Sequence, residues 1–423
     1  MLADFLIRNT SDVLTCAGTA PFIGRRQADA GSQPHAVVAS RKGTIVFVGS
    51  ESAWRRDGAL TKDAVVVDAG AGAVVPGFVD PHTHVVFAGD RRDELRRRLG
   101  GATYAQIAAD GGGILSSVRA TRAATDDQLA ADTRRRLDEM LRCGTTTCEV
   151  KSGYGLATDA ELKTLRVVRA LAADHDIDIA PTFMGAHEIP VEYRDRRRAY
   201  IDLLVGEMIP AVAREHLAEW CDVFCEGGVF SPEESREILE AGRRAGMQLR
   251  IHADELGPSG GSRVAAELAV RSADHLIFVD EAGAAGLAAA GVVATLLPIA
   301  SFYLKLGRFA PARMLMERGV AVALATDVNP GGGFSPSMPF AMALACFSMG
   351  LTFEEALVAA TVNAAYSLDR HHRVGSLEAG KQMDAVVVAG PAIDLIRVGA
   401  ETIRAVIKKG RLVVRQAHHE RSS

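Results

Sequence analysis

Continuous apolar runs recur along the middle of the chain, and each ends in polar residues or glycine. Eight such runs cover residues 74–79, 145–150, 179–184, 223–225, 249–251, 275–278, 293–297 and 320–325. Runs without polar alternation are typical of parallel strands that are covered on both faces. Between the runs, apolar residues recur at the spacing of a helix face. The pattern therefore predicts strands that alternate with helices.

Several of these helices carry recognisable start signals. A Ser or Thr three residues before a Glu predicts a capping box at three places, namely Thr158 with Glu161, Ser231 with Glu234, and Thr352 with Glu355. Eight strands with intervening helices predict a (β/α)8 TIM-type barrel, and a doubly wound parallel sheet is the alternative.

The two ends of the chain have a different sequence pattern from the middle. Short β-branched runs bounded by turn residues occur at 36–39, 44–48 and 64–67, and again at 385–388 and 405–407. We therefore predict a small β-sandwich domain that is assembled from residues 1–72 and 376–414. The barrel is expected to span residues 73–375, and the polar residues 415–423 are expected to form a disordered tail.

Composition narrows the possible partners. The 423 residues carry 48 Lys and Arg against 52 Asp and Glu, a formal charge of −4, and 48% of them are apolar. A nearly balanced charge argues against nucleic acid or an anionic membrane surface as a partner. The apolar stretches fall short of the roughly 20 residues of a membrane span. The start of the chain lacks a signal-peptide pattern, and the six cysteines are scattered, so we expect a cytoplasmic protein that acts on a small molecule.

Candidate metal ligands occur where the predicted strands end. His82 and His84 follow the first strand, and two residues at i and i+2 of an extended segment point to the same side. A lone histidine could equally be a core residue, but this pair predicts a metal site. His252 follows the fifth strand, and Asp327 follows the eighth as either a ligand or a helix cap. Three imidazoles and one carboxylate suit Zn²⁺ or iron, with an open position for water.

Other polar residues at strand ends would complete a pocket. Arg91, Lys151, Tyr154 and His187 follow the first three strands, although Arg91 also fits a solvated helix face and Tyr154 a rim position. Glu255 comes three residues after His252, within reach of a water but not necessarily of the metal. The sixth strand is expected to open with residues 273–275, which include His275. The triple glycine at 331–333 predicts a loop that closely approaches the pocket.

These motifs carry a resemblance to a known family. The segment 76–84, Pro-Gly-Phe-Val-Asp-Pro-His-Thr-His, combined with late His and Asp ligands inside a split β domain, resembles the amidohydrolase superfamily. More narrowly, four segments are similar to the imidazolonepropionase family, which degrades a histidine-derived ring: they are residues 84–91, 149–155, 183–188 and 326–331. The Lys-Ser-Gly-Tyr-Gly and Met-Gly-Ala-His-Glu motifs within them are the most specific.

The resemblance implies a reaction and a cofactor. The reaction is hydrolysis of the cyclic amide C–N bond of 4-imidazolone-5-propanoate, which gives N-formimidoyl-L-glutamate in histidine degradation. The cofactor is one zinc or iron ion per chain, held by His82, His84, His252 and Asp327, and the expected assembly is a homodimer.

The resemblance also implies roles for the residues around the metal. Arg91 and Tyr154 would hold the substrate carboxylate, and His187 would contact the ring. The residues expected to line the other end of the bound molecule are Asn329, Gly331 and Gly332. Independently of the resemblance, the chemistry needs a proton carrier and a group that polarises the carbonyl, which Glu255 and His275 can supply alongside Asp327.

Three alternatives use the same residues differently. A mononuclear deaminase of a purine or pyrimidine ring would keep the four ligands but would not need Arg91 and Tyr154. A binuclear hydantoinase-like enzyme would need a modified lysine, for which Lys151 is the candidate. A metal-stabilised binding protein would show no turnover, which the presence of Glu255 beside a complete ligand set argues against.

Overall fold

The computed structural model describes residues 1–102, 106–107 and 110–416. The strands are β1 Leu2–Arg8, β2 Asp12–Leu14, β3 Ser32–Pro34, β4 Ala36–Arg41, β5 Thr44–Ser50, β6 Ala59–Asp68, β7 Val74–Pro76, β8 Phe78–Asp80, β9 Thr145–Lys151, β10 Asp178–Ala186, β11 Trp220–Cys225, β12 Gln248–Ala253, β13 Ser272–His275, β14 Val293–Leu296, β15 Val322–Leu324, β16 Ala385–Val388, β17 Ile403–Lys408 and β18 Arg411–Arg415.

The α-helices span Glu51–Asp57, Arg92–Leu99, Ile114–Ala123, Asp126–Arg142, Thr158–Asp174, Arg197–Leu203, Ile209–Arg214, Pro232–Arg244, Gly261–Glu267, Glu281–Ala289, Pro298–Tyr303, Ala312–Glu317, Met338–Met349, Phe353–Ala359 and Val362–Ser367. Short 3₁₀ turns cover Gly24–Ala28, Val191–Arg196 and Ala392–Ile396, and a π-helical turn covers Leu204–Met208. Within the described part of the chain, no helix has both the length and the apolarity that crossing a bilayer requires.

Strands β8 to β15 form one sheet whose neighbours follow the order of the chain. Every adjacent pair in it is parallel. Beyond the strands, the backbone N–H of Asp327 donates to the carbonyl of His82 at 3.1 Å, and that of His84 donates to the carbonyl of Val328 at 2.9 Å. These bonds join the first and last strand segments at their carboxyl ends. The predicted barrel is confirmed, and the doubly wound alternative is wrong.

Two further sheets come from the chain ends. One has the strand order β5-β4-β1-β6, and the other, β18-β17-β16-β7-β2-β3, combines strands from both termini. Apolar side chains from both sheets, among them Phe5, Val38, Val74, Val387 and Ile407, share one buried cluster. The predicted small β-sandwich built from both termini is confirmed, because the two sheets bury these side chains against each other.

The run at 74–79 was predicted as one strand, and this is wrong. Val74–Pro76 pairs with β16 in the terminal sheet, whereas Phe78–Asp80 pairs with β9 in the barrel. Gly77 separates the two because a Cβ there would lie 2.4 Å from the hydroxyl of Thr146. The chain therefore passes from one domain to the other at a residue that has no room for a side chain.

The exact domain limits, 1–72 with 376–414 and 73–375, stay a prediction. Of the predicted tail at 415–423, Arg415 is the last residue of β18, so the prediction is wrong at this position. Its main-chain pairing with Ala405 orders it as part of the terminal sheet. Residues 417–423 lie outside the described residues.

Candidate active site and metal centre

The predicted site residues meet in one cavity at the carboxyl end of the barrel. The residues lining it are His84, Arg91, Ile114, Tyr154, His187, Phe224, His252, Glu255, Leu256, His275, Leu304, Asp327, Asn329, Gly331 and Gly332. His82 is fully buried and lies directly beside His84. The structure therefore brings together the four metal-ligand candidates and the residues singled out for substrate or proton-transfer roles, but Lys151 does not line the cavity.

Three imidazole nitrogens converge at the floor of this cavity. The Nε2 atom of His84 lies 3.3 Å from Nε2 of His82 and 3.3 Å from Nε2 of His252. Tetrahedral ligands at the usual Zn–N distance are about 3.3 Å apart, so this spacing fits a single zinc-sized ion. Asp327 Oδ1 lies 3.6 Å from Nε2 of both His82 and His84. Four ligand atoms thus surround one point.

The protonation of these groups also fits a bound cation. Burial lowers the pKa values of His82 and His84 well below 6.5, so both imidazoles are neutral and can use a lone pair as ligands. Burial raises the pKa of Asp327 to about 8. The hydrogen bond from Asn329 and the charge of Lys151 do not outweigh burial, so this carboxyl group favours its neutral form, and a bound metal ion would favour the ionised form.

Two aspartates orient the histidines from behind. The Nδ1 atom of His82 lies 2.6 Å from Asp274, and that of His252 lies 3.1 Å from Asp222. Because both rings are held through Nδ1–H, their Nε2 atoms face the common point. Sequence reasoning missed Asp222 and gave Asp274 no role. The available signal was a charged residue in the middle of an otherwise apolar strand, as in β11.

Lys151 lies below the histidines and does not line the cavity. Its Nζ is 2.6 Å from Glu149 and 2.6 Å from Asp222, and all three side chains are fully buried. Burial alone would lower the pKa of Lys151, but Asp222 and Glu149 outweigh it and raise the pKa. A lysine modified to bridge two metals must first lose its proton, so the binuclear alternative loses its candidate. The placement of Lys151 in the pocket wall is likewise wrong.

Glu255 and His275 face each other on the cavity wall, with Nε2 of His275 3.5 Å from Oε2 of Glu255. Burial, followed by the charges of Asp327 and Glu226, raises the pKa of Glu255 well above 4.5. The Glu226 carboxylate accepts hydrogen bonds from the backbone N–H groups of Glu255 and Leu256 at 3.0 and 2.9 Å. Glu226, which sequence reasoning missed, therefore fixes the segment that carries Glu255.

The sixth strand contains the predicted opening residues 273–275, but its expected extension through 278 is wrong. Strand β13 ends at His275, because His275 and Leu276 have φ angles of 74° and 56°, which break an extended chain. Asp254 and Asp327, just beyond β12 and β15, also have positive φ, at 51° and 52°. Such strained backbone is typical of functional sites. These positive φ angles change the direction of the chain where the strands end.

The opposite wall carries the cationic side chain. Arg91 is only 5% exposed, and its Nε and one Nη each lie 2.7 Å from the carboxylate of Glu94. A Cβ on Gly331 would lie 2.2 Å from the remaining Nη of Arg91, so a larger residue there would displace the guanidinium. The guanidinium is thus held against Glu94 and the Gly331 backbone, at the edge of the cavity.

The loop beside Tyr154 orients a further imidazole. His187 Nδ1 donates to the carbonyl of Gly153 at 3.0 Å, which leaves its Nε2 as a hydrogen-bond acceptor. Burial lowers the pKa of His187 to about 3, so the ring is neutral. Its ring stacks on that of His84 at 4.9 Å between centroids. His187 can therefore accept a hydrogen bond from an N–H group of a small molecule that is bound beside the predicted metal ligands.

The capping box predicted for Thr158 and Glu161 is wrong. Glu161 is fully buried and accepts hydrogen bonds from the backbone N–H groups of Gly153, Gly155 and Leu156 at 2.7–3.2 Å. The helix Thr158–Asp174 starts at Thr158 with Ala157 as its N-cap and has no side-chain cap, and its fourth residue, Glu161, holds the Tyr154 loop instead. The other two predicted boxes, at 231/234 and 352/355, are confirmed.

Asn329 reaches the cavity, but its amide group bonds within its own loop. Its Oδ1 accepts from the backbone N–H groups of Gly331 and Gly332 at 2.8 and 2.6 Å, and its Nδ2 donates to the carbonyl of Asp327 at 2.7 Å. The side chain therefore orders the loop that carries the fourth metal-ligand candidate and lies against Arg91.

Comparison with known proteins agrees with this architecture. Residues 73–413 match the model of the amidohydrolase family. A solved adenosine deaminase from Xanthomonas campestris with bound zinc has a TM-score of 0.72 at 20% identity, covering 97% of this chain and 93% of that one. At this identity the likeness shows the fold alone.

Two curated relatives are much closer in sequence. The imidazolonepropionase of Symbiobacterium thermophilum is 50% identical over 414 residues, covering 97% of both chains. That of Alkaliphilus metalliredigens is 44% identical over 417 residues, covering 98% of this chain and 99% of its own. The chain therefore belongs to the amidohydrolase family, within the group whose curated members are named imidazolonepropionase.

Proposed function

We propose that this protein hydrolyses the cyclic amide C–N bond of 4-imidazolone-5-propanoate to give N-formimidoyl-L-glutamate, a step of histidine degradation. The observation that carries the proposal is one cavity lined both by metal-ligand candidates and by the buried cation Arg91. The substrate has a ring to open and a carboxylate tail to bind. A ring deaminase, the alternative, would not need a buried guanidinium in the same cavity as the ligands.

We further propose that one zinc or iron ion per chain is held by His82, His84, His252 and Asp327. When bound, the ion would polarise the ring carbonyl and activate a water molecule. Elemental analysis of the purified protein tests the stoichiometry, with about one ion per chain expected. Two ions per chain would contradict it and would revive a binuclear mechanism.

Arg91 orients the substrate by binding its carboxylate tail. Arg91 presents a planar guanidinium, which can bind both oxygens of the propionate carboxylate, and Glu94 fixes its position. Tyr154 lines the same cavity, with its ring 5.2 Å from that of His187. Nε2 of His187 accepts a hydrogen bond from a ring N–H, so the ring lies with its carbonyl toward the histidine cluster. The Gly331–Gly332 backbone closes the end of the cavity.

Glu255 and His275 move the proton and stabilise the developing charge. As the water oxygen bonds to the carbonyl carbon, Glu255 takes a proton from the water. Neutral His275 donates a hydrogen bond to the carbonyl oxygen, where negative charge develops. The C–N bond then breaks, and Glu255 delivers the proton to the departing ring nitrogen. A carboxyl group with a raised pKa suits this double role, since it must hold the proton between the two steps.

A spectrophotometric assay tests the activity. Freshly prepared imidazolonepropionate, guanine and a hydantoin are each incubated with the metal-loaded protein. We expect loss of the imidazolonepropionate absorbance only, with formimidoylglutamate as the product. Turnover of guanine without turnover of imidazolonepropionate would favour the deaminase alternative, and no turnover of any substrate would favour a binding protein.

Two finer expectations accompany the function. We propose that the protein acts in the cytoplasm, which its six free cysteines suit, and that it is a homodimer without nucleic-acid or membrane partners. Light scattering of the purified protein tests the dimer, for which a mass of two chains is expected.

A further inference from the structure

Five charged side chains with no exposed surface lie directly beneath the three histidines: Glu149, Lys151, Asp222, Arg250 and Asp274. Three carboxylates and two cations leave this cluster with one net negative charge when all are ionised. Burying so many charges is costly unless each is paired, so the geometry of their contacts must be well maintained.

Lys151 connects this cluster to His252. Its Nζ lies 2.6 Å from Oδ2 of Asp222, while Oδ1 of the same carboxylate lies 3.1 Å from Nδ1 of His252. The carboxylate is thereby shared between an ammonium group below and an imidazole above. Removing the ammonium would free Asp222 to rotate or to take up a proton, and either change weakens its hold on the ring.

Lys151 also connects to the turn between His82 and His84. Its Nζ lies 2.6 Å from Oε1 of Glu149, and Oε2 of Glu149 accepts from the backbone N–H of Thr83 at 3.1 Å. The backbone N–H of Lys151 itself donates to the carbonyl of Thr83 at 3.0 Å. The residue between the two histidines is therefore fixed from both sides by β9.

The third connection runs through Asp274. Its Oδ2 lies 2.6 Å from Nδ1 of His82, 3.3 Å from Arg250 and 3.9 Å from Nζ of Lys151. Arg250 in turn donates to the carbonyl of Pro81 at 2.8 Å. Lys151 is thus the one group of this cluster that approaches all three of its carboxylates within 4 Å, and through them every histidine of the predicted ligand set except the ring of His84.

We propose that Lys151 is a positioning residue that sets the metal affinity of the site by fixing the carboxylates behind His82 and His252. The proposal rests on the proposed metal site. Lys151 touches neither the cavity nor a ligand atom, so it acts only through its neighbours. Loss of a partner that orients a metal-binding histidine typically costs about 10- to 100-fold in metal affinity.

The chain offers a matched control at the other end of the barrel. Lys408 is also fully buried between two carboxylates, with Nζ 2.9 Å from Asp178 and 2.8 Å from Asp384, but none of these residues lines the cavity. Lys151→Met and Lys408→Met therefore remove the same group from two similar surroundings. Only Lys151 is connected to the histidines through carboxylates that contact both groups.

The experiment measures Zn²⁺ affinity by chelator competition, and the visible spectrum of the Co²⁺-loaded protein, for wild type and both variants. We expect Lys151→Met to weaken Zn²⁺ binding about 10- to 100-fold and to change the Co²⁺ bands, which report ligand geometry. Lys408→Met should leave the affinity within about twofold, because distant sites act independently. If Lys151→Met does not fold, Lys151→Gln, which keeps a hydrogen-bond donor without the charge, replaces it.

Wild-type affinity and an unchanged spectrum in a folded Lys151 variant would overturn the proposal. An equal loss in the Lys408 variant would also overturn it, because the effect would then be general destabilisation. A wild-type protein that binds neither ion would overturn the proposed metal site itself. The two failures are therefore distinguishable.

Discussion

The two ends of the barrel both bury charged groups, but they treat them in opposite ways. At the amino end, Asp178 opens β10 and pairs with the buried Lys408, which also contacts Asp384. At the carboxyl end, Asp327 and Glu255 line a cavity and lie 3.6 and 3.5 Å from the imidazoles of His84 and His275, which burial keeps neutral.

The pKa values of buried carboxyl groups are shifted in opposite directions at the two ends. Burial opposes ionisation of Asp178, but Lys408 and further hydrogen bonds outweigh it and lower the pKa of the carboxyl group. At the other end, nothing outweighs burial, and the pKa of Asp327 rises to about 8. A buried carboxyl group whose charge is fully compensated indicates a structural role, whereas a raised carboxyl pKa beside a cavity indicates a functional site. The first end joins the barrel to the terminal sheets, and the second end is where we place the chemistry.

The largest expected effect comes from Glu255→Gln. The variant keeps the size of the side chain but cannot carry a proton, so kcat should fall about 10²- to 10⁴-fold. The metal content should stay that of the wild type, because Glu255 is outside the proposed ligand set. Turnover and elemental analysis are measured on the same preparation. Full activity, or loss of the metal, would contradict the role of Glu255 and with it the contrast between the two ends.

The next largest effect is on stability and comes from the amino end. Lys408→Met leaves Asp178 and Asp384 without their buried cation, and breaking a buried ion pair typically costs about 3–5 kcal/mol of unfolding free energy. Lys409→Met is the control: its side chain is 44% exposed although it also contacts Asp178 at 2.6 Å, so its loss should cost about 0–1 kcal/mol. Urea unfolding measures both, and equal costs would show that burial does not distinguish the two lysines.

Arg91→Ala should change substrate binding more than turnover. A charge-assisted hydrogen-bonded contact contributes about 1.5–3 kcal/mol, which corresponds to a rise in KM of roughly 10- to 150-fold. The neighbouring Arg92 is the control, because its side chain is 77% exposed and pairs with Asp90 at the surface. Steady-state kinetics of both alanine variants make the comparison. An unchanged KM for Arg91→Ala would place the carboxylate elsewhere in the cavity.

The sequence predicted the ligand candidates because each of them follows a strand. Parallel strands of a barrel end on the same face, so His82, His84, His252 and Asp327 had to approach one another once eight strands were recognised. The same reasoning placed the opening of the sixth strand correctly but extended the strand beyond His275, to residue 278. The apolar run after His275 resembles a strand, but a positive φ at His275 turns the chain, and no composition signal reveals that angle.

The supporting layer was beyond sequence reasoning because it depends on which strands face each other. His82 meets Asp274 across 192 residues, and Lys151 meets Asp222 across 71. Glu161 was misinterpreted for a related reason. Its spacing from Thr158 satisfies the capping-box pattern, but the buried backbone N–H groups of the Tyr154 loop need an acceptor, and Glu161 is within reach. The need of these buried N–H groups for a hydrogen-bond acceptor therefore outweighed the local capping-box pattern.

The smallest expected effect is a pH dependence of stability that originates at the amino end. The pKa of Asp178 is lower in the folded protein than in the unfolded chain, where it is about 3.9. Below that value the unfolded state binds more protons, so stability is fully present above it and falls as the pH drops through the folded pKa. Unfolding free energies measured from pH 7 down to about 3 should decrease less steeply in Asp178→Asn than in wild type.

Asp68 provides the control, because its pKa is also lowered but its side chain is exposed at the surface. Asp68→Asn should change the slope less, since solvent screens its contacts. A wild-type slope in Asp178→Asn would mean that Lys408 does not favour the ionised carboxylate, and the contrast with Asp327 would then rest on burial alone.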